Sequence, residues 1–196
     1  MAEAGRVRSL AVAFAMALAV GEAKGAVHGT PAVRAETPAA REQARLCERK
    51  SLEEGAAACR AALALGIGPE RRGPVREMLA KHLVALEKWD ELGELLREDV
   101  RIDPTRASAW QRLGLTLLFA LDEPAEAASA LEEAVRLAPG DASSRLGLAL
   151  ALHAASRPKE AAAAFEEALR IDPAALDGRP AARAAMEAAS RGEPWP

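Results

Sequence analysis

Residues Pro158–Pro173 read PKEAAAAFEEALRIDP, and thirty-four residues upstream Pro124–Pro139 read PAEAASALEEAVRLAP. Ten of these sixteen positions are identical, and Leu131 for Phe165, Val135 for Leu169 and Leu137 for Ile171 exchange one apolar side chain for another. A near-copy at fixed spacing marks a repeat architecture, in which each unit buries its apolar face against a neighbour. One short amphipathic helix is marginal in water, so each copy needs a second helix at a constant offset. That helix is present: ASAWQRLGLTLLFAL (Ala107–Leu121) precedes one copy, and ASSRLGLALALHAA (Ala142–Ala155) precedes the other. Each unit therefore reads as helix, tight turn, helix.

The spacing assigns each residue type a job. Gly114, Ala127 and Ala134 are small enough for helix axes to approach to the lower end of the usual range of about 8–10 Å. Leu117 and Leu131 fill the space that remains. Pro104, Pro139 and Pro173 end the second helix of a unit, and Pro124 and Pro158 sit at its start, where a missing N–H costs little. Pro104 and Pro139 are 35 apart, Pro139 and Pro173 34 apart, and the turn in ALDEPAEA accommodates the extra residue.

These residues resemble the tetratricopeptide repeat family. The central copy supplies Trp110, Leu113, Gly114, Leu117, Ala127, Leu131, Ala134 and Pro139. The next supplies Leu148, Ala149, Leu152, Ala161, Phe165, Ala168 and Pro173, with Arg145 where the pattern has Trp. The preceding copy supplies Leu79, Ala80, Leu83, Leu96 and Pro104, with Leu92 and Asp99 where small residues are usual. A degenerate unit comes first: Glu53–Leu65 aligns Gly55, Cys59 and Ala62 with Ala161, Phe165 and Ala168, and Arg41–Lys50 is its first helix. Pro180–Ser190 reads as one unpaired helix covering the last apolar face. The resemblance implies an all-α fold, a short right-handed α-solenoid of helix-turn-helix repeats with a capping helix. The expected organisation is a domain over 39–196, with a degenerate hairpin at 39–69, repeats at 73–106, 107–141 and 142–175, and a cap at 180–190.

Composition agrees with an all-α chain. Half the 196 residues are hydrophobic, carried by Ala and Leu, while aromatics are 3% and Tyr and Asn are missing, which favours helix over strand. Formal net charge is -3 with acids and bases interspersed, so no basic stripe points to nucleic acid.

The first residues are different in kind. Arg6 and Arg8 precede the uncharged run Leu10–Val20, which is followed by small residues, with cleavage positions after Gly21 or Ala23. That order is a secretory signal peptide over 1–23, and its apolar run is shorter than the roughly 20 residues a bilayer span needs. The alternative is an Ala-rich tail on a cytoplasmic chain. Residues 24–38 read as a flexible leader. Export to the periplasm or another extracytoplasmic compartment, with no membrane span after signal removal, is the expectation.

Cys47 and Cys59 fall on opposite helices of the first hairpin. In an oxidising compartment a disulfide there would stabilise by about 3 kcal/mol. Cys47 stands one place past the best facing position, so two buried thiols is the competing reading. His28, His82 and His153 lack the paired spacing of metal ligands, and no nucleophile elbow, phosphate loop or HExxH motif occurs, so neither cofactor nor catalytic group is expected. Glu132 with Arg136 and Glu166 with Arg170 have i,i+4 spacing, as on a solvated helix face.

The resemblance implies a partner-binding concave groove lined by the first helix of each unit. Its positions here are Glu77, Lys81 and Val84, then Gln111, Leu115 and Leu118, then Leu146, Leu150 and His153. The Lys and Asn pattern by which some relatives clamp a C-terminal carboxylate is lacking. A peptide or protein partner with an apolar anchor fits this mixed surface. The expected function is a non-enzymatic adaptor; the alternatives are a structural subunit of a larger envelope complex or self-assembling array, and a helical enzyme. The sequence leaves the oligomeric state open.

Overall fold

The computed structural model describes residues 36–195. The signal-peptide reading, most of the leader and His28 lie outside them. Every regular element among the described residues is a helix. In order they are α1 (Pro38–Arg49), α2 (Leu52–Ala64), α3 (Pro69–Ala85), α4 (Trp89–Ile102), α5 (Ala107–Phe119), α6 (Pro124–Leu137), α7 (Ala142–Ala154), α8 (Pro158–Ile171) and α9 (Pro180–Arg191). The described chain divides into two compact units, 36–95 and 96–195, with the division inside α4.

Local chemistry sets the helix ends. Pro stands in the first turn of α1, α3, α6, α8 and α9, and Asp141 caps α7 by accepting hydrogen bonds from the amides of Ser143 and Ser144 at 3.1 Å each. Helix α1 starts at Pro38, earlier than the expected Arg41, because the Thr37 hydroxyl accepts from the amide of Ala40 at 3.1 Å. The end of the leader is thus a helix cap. The turn between the two helices of a repeat carries one left-handed residue in each of the three repeats. Glu87, Asp122 and Ser156, each two residues before the next helix, have φ of 54°, 58° and 61°. Residues 120–123 connect α5 to α6 where 155–157 connect α7 to α8, which places the extra residue in that turn.

In the 96–195 unit, α5 packs on α6, α6 on α7, α7 on α8, and α9 on both α7 and α8. Leu131, fully buried on α6, is the centre of this packing. A Cβ on Gly114 of α5 would stand 2.5 Å from its Cγ, and one on Gly147 of α7 would stand 3.2 Å from its Cδ2. The same atom on Gly114 would be 3.1 Å from the Ala127 carbonyl oxygen, so glycine there sets how near α5 comes to α6. Phe165 and Ala168 occupy the corresponding places on α8, each 1% exposed.

Arg145, the departure from the repeat pattern, keeps the function of the residue it replaces. The Trp110 indole donates to the Pro104 carbonyl at 2.9 Å, and the Arg145 guanidinium donates to the Pro139 carbonyl at 2.9 Å. Both side chains reach back six residues to hold the turn between repeats.

In the 36–95 unit, α1 packs on α2, and α3 on both. A disulfide joins Cys47 and Cys59, with Cα atoms 4.8 Å apart and both residues fully buried. Helices come that close because Ala40, Ala44, Gly55 and Ala56 occupy the interface. Replacing both cysteines with serine is expected to lower the stability of this hairpin by about 3 kcal/mol. Amide hydrogen exchange over residues 38–64 reads it directly, and protection unchanged from wild type would contradict it.

Charges form an outer layer. In the 36–95 unit Arg60 holds Glu91 with two hydrogen bonds, and that contact keeps the Glu91 carboxyl below its ordinary pKa. In the 96–195 unit, Arg97 grips Glu126 at 3.0 and 2.9 Å and Glu123 at 2.7 Å. Arg136 and Arg170 pair with Glu133 and Glu167, both at i,i+3, instead of the expected Glu132 and Glu166. Glu132 faces Arg157 of the next repeat at 3.7 Å. These solvent-screened pairs contribute little to stability.

Candidate functional site

The nine residues expected to line a groove fall into both units, and each set is taken by itself. On α3, Glu77 and Lys81 are exposed and pair with each other at 3.1 Å, and Val84 is half-buried beside them. On α5, Gln111 donates to Asp141 Oδ2 at 3.0 Å, which ties it to the cap of α7. Leu115 and Leu118 are 4% and 8% exposed, and Leu115 packs against Gly147. On α7, Leu146, Leu150 and His153 are 1%, 3% and 1% exposed. Periodicity put these three on one face of α7; it carried no information on what lies over that face.

The segment after α9 lies over His153. Gly192 takes φ 70° and turns the chain, the Glu193 amide donates to the Ala188 carbonyl at 2.9 Å, and Trp195 follows with its ring centroid 5.3 Å from that of His153, tilted by 55°. Trp195 remains 36% exposed, so the indole touches the histidine and also meets solvent. Beneath it, neither ring nitrogen of His153 has a hydrogen-bond partner. Burial lowers its pKa, so the ring is neutral, with one donor and one acceptor unused.

An unpartnered buried imidazole is a poor choice for stability, costing about 1–3 kcal/mol. His153→Leu, similar in volume and apolar, is therefore expected to stabilise the 96–195 unit by about 1 kcal/mol in urea unfolding. The pH dependence follows from the depressed pKa. The unfolded chain binds a proton near pH 6.5 that the folded chain resists, so stability is full above about pH 6.5 and falls as pH drops below it. His153→Leu should flatten that fall, and an unchanged slope would contradict the assignment.

A second cluster was not visible as a motif. Cys47 from α1, Cys59 from α2 and His82 from α3 present ligand-type atoms within 4.8 Å of one another, all buried. Three helices contribute one residue each, so no sequence spacing signals it. Paired acids such as Glu132 and Glu133 are surface residues held by Arg157 and Arg136, without the burial that would suit acid/base chemistry. No helix among the described residues is long and apolar enough to cross a membrane.

Residues 112–175 match the family model described as Tetratricopeptide repeat. No curated protein matches the sequence. Among solved structures, the chain is similar to a crystal structure of MamA, with TM-score 0.64 and 22% identity over 79% of this chain and 82% of that one. It is similar to YrrB, described as "a TPR protein with an unusual peptide-binding site", with TM-score 0.61 and 20% identity over 80% of this chain and 77% of that one. A MamA fragment from Desulfovibrio magneticus RS-1 gives TM-score 0.61 and 18% identity over 81% of this chain and 93% of that one. At these identities the likeness is one of fold.

Proposed function

We propose that this chain, whose residues 112–175 match the tetratricopeptide repeat model, is a non-enzymatic adaptor of that family, exported to the bacterial envelope, that binds an extended peptide segment through the α5–α7 face of its 96–195 unit. The observation that carries this reading is Trp195 resting on His153. That contact is an aromatic side chain seated on the apolar end of the face, over a buried imidazole with hydrogen-bonding capacity to spare. A partner that supplies an aromatic anchor and an adjacent peptide group satisfies both features. The peptide-binding site named for YrrB supports the same reading by analogy of fold.

Trp195 then acts as a tethered competitor. A group held on a short linker has an effective concentration of the order of mM, so the partner must outbid it. Removing residues 192–196 is expected to expose the seat. Random peptides displayed on phage and panned on the shortened chain should enrich sequences with Trp or Phe, and His153→Ala should erase the enrichment. Enrichment with no aromatic preference, or one indifferent to His153, would overturn the assignment of the site.

The buried disulfide supports export, since such bonds persist in oxidising compartments. A reporter fused after Pro38 is expected to reach the periplasm, with the mature chain starting after Gly21 or Ala23. A cytoplasmic reporter with an intact amino terminus would contradict it.

A further inference from the structure

The Cys47–Cys59–His82 cluster has a composition that packing alone does not require. Cys47 and Cys59 are fully buried and His82 is 8% exposed, so the three side chains sit away from solvent. One ring nitrogen of His82 and the two sulfurs lie within 4.8 Å of one another. Ligands around a single metal, at bond lengths of about 2.0–2.3 Å, are separated by about 4 Å, so little movement is needed to converge them once the sulfur–sulfur bond opens. The imidazole is already fixed in place. His82 Nε2 donates to the Cys47 carbonyl at 2.9 Å, the kind of carbonyl contact that orients metal-binding histidines. Gly55 makes the room for it: a Cβ there would stand 2.7 Å from His82 Nε2.

We infer that reduction of the Cys47–Cys59 disulfide converts this staple into a three-coordinate site for Cu+, with both thiolates and one His82 ring nitrogen as ligands. Thiolate and imidazole are soft to intermediate donors, the set that favours Cu+ and Zn2+ over hard cations. Coordination number separates those two. Zn2+ takes four ligands, and the fourth here would have to be a water brought into a buried site, whereas three donors complete a trigonal Cu+ centre. With a phosphine as reductant, the disulfide, the phosphine and one water give two thiols and a phosphine oxide; phosphorus is oxidised and the two sulfurs are reduced. Binding of Cu+ then releases the two thiol protons to solvent.

The test is anaerobic titration of the phosphine-reduced full chain with Cu+, in competition with bathocuproine, alongside the oxidised chain. The expected result is one Cu+ per reduced chain and none per oxidised chain, with X-ray absorption showing two sulfurs and one nitrogen. His82→Gln should weaken binding by at least about tenfold, and C47S with C59S should abolish it. Circular dichroism of each sample covers loss of structure: if reduction loosens the hairpin, Cu+ should restore helicity in the reduced chain and not in the serine variant. Absence of competition by the reduced chain, equal affinity in His82→Gln, or stoichiometric displacement of Cu+ by Zn2+ would each overturn the assignment.

Discussion

Gly114→Val is expected to destabilise the 96–195 unit by about 3 kcal/mol, at the upper end of the usual cost of overpacking a close-packed core. The reason is distance. The first added carbon would meet Leu131 Cγ at 2.5 Å and the Ala127 carbonyl oxygen at 3.1 Å, and neither is the free end of a flexible side chain. Leu131 has little room to step aside, because its Cδ2 already stands 3.2 Å from where a Cβ on Gly147 of α7 would be. Valine should therefore force α5 and α6 apart. Leu131→Ala alone should cost about 2–5 kcal/mol through the cavity it leaves. The double variant is the sharper test: the cavity takes up the valine, so the combined loss should fall short of the sum by 1 kcal/mol or more, as for residues in direct contact. Additive losses in urea unfolding would mean that the two side chains do not meet.

Phe165→Ala is expected to cost about 3–5 kcal/mol, the largest effect of any single truncation here. Phe165 heads the fully buried side chains by volume and is 1% exposed. Repeat arrays hold together by terms within and between neighbouring units, so the loss should be concentrated in α7, α8 and α9. Hydrogen exchange should show amides of 142–191 opening first. Leu52→Ala provides the contrast, since Leu52 is 46% exposed on α2 and its truncation should change stability by less than about 0.5 kcal/mol. A Phe165→Ala variant as stable as wild type would remove the assignment of Phe165 as the plug of the last repeat.

The internal repeat made most of the fold readable from sequence, because each class of position is tied to backbone geometry. Proline at the repeat positions Pro104, Pro124, Pro139, Pro158 and Pro173 starts or stops a helix, and a missing side chain at Gly114 permits one close approach. Features that depend on a third body were not readable. Arg145 looked like a loss of the Trp110 position, yet a guanidinium of similar reach delivers the same hydrogen bond to a proline carbonyl. Glu132 has Arg136 at helical spacing, but Arg157 of the following repeat competes for it. Leu146, Leu150 and His153 share a face by periodicity, and their burial depends on what covers α7, with Trp195 the ring placed on His153. The Cys47–Cys59–His82 cluster is assembled from three helices and has no local signature.

The proposed seat for an aromatic peptide group is the α7 end of the 96–195 unit, where Trp195 meets His153. The direct measurement is nuclear magnetic resonance titration of the chain ending at Arg191 with a synthetic peptide of residues 192–196. Chemical-shift changes are expected at Leu146, Leu150 and His153 that saturate in the high micromolar to millimolar range, of the order of about mM expected for a detached tether, with no such changes when the same peptide is added to the full chain. Unchanged His153 resonances in the shortened chain, or equal shifts in both chains, would contradict it.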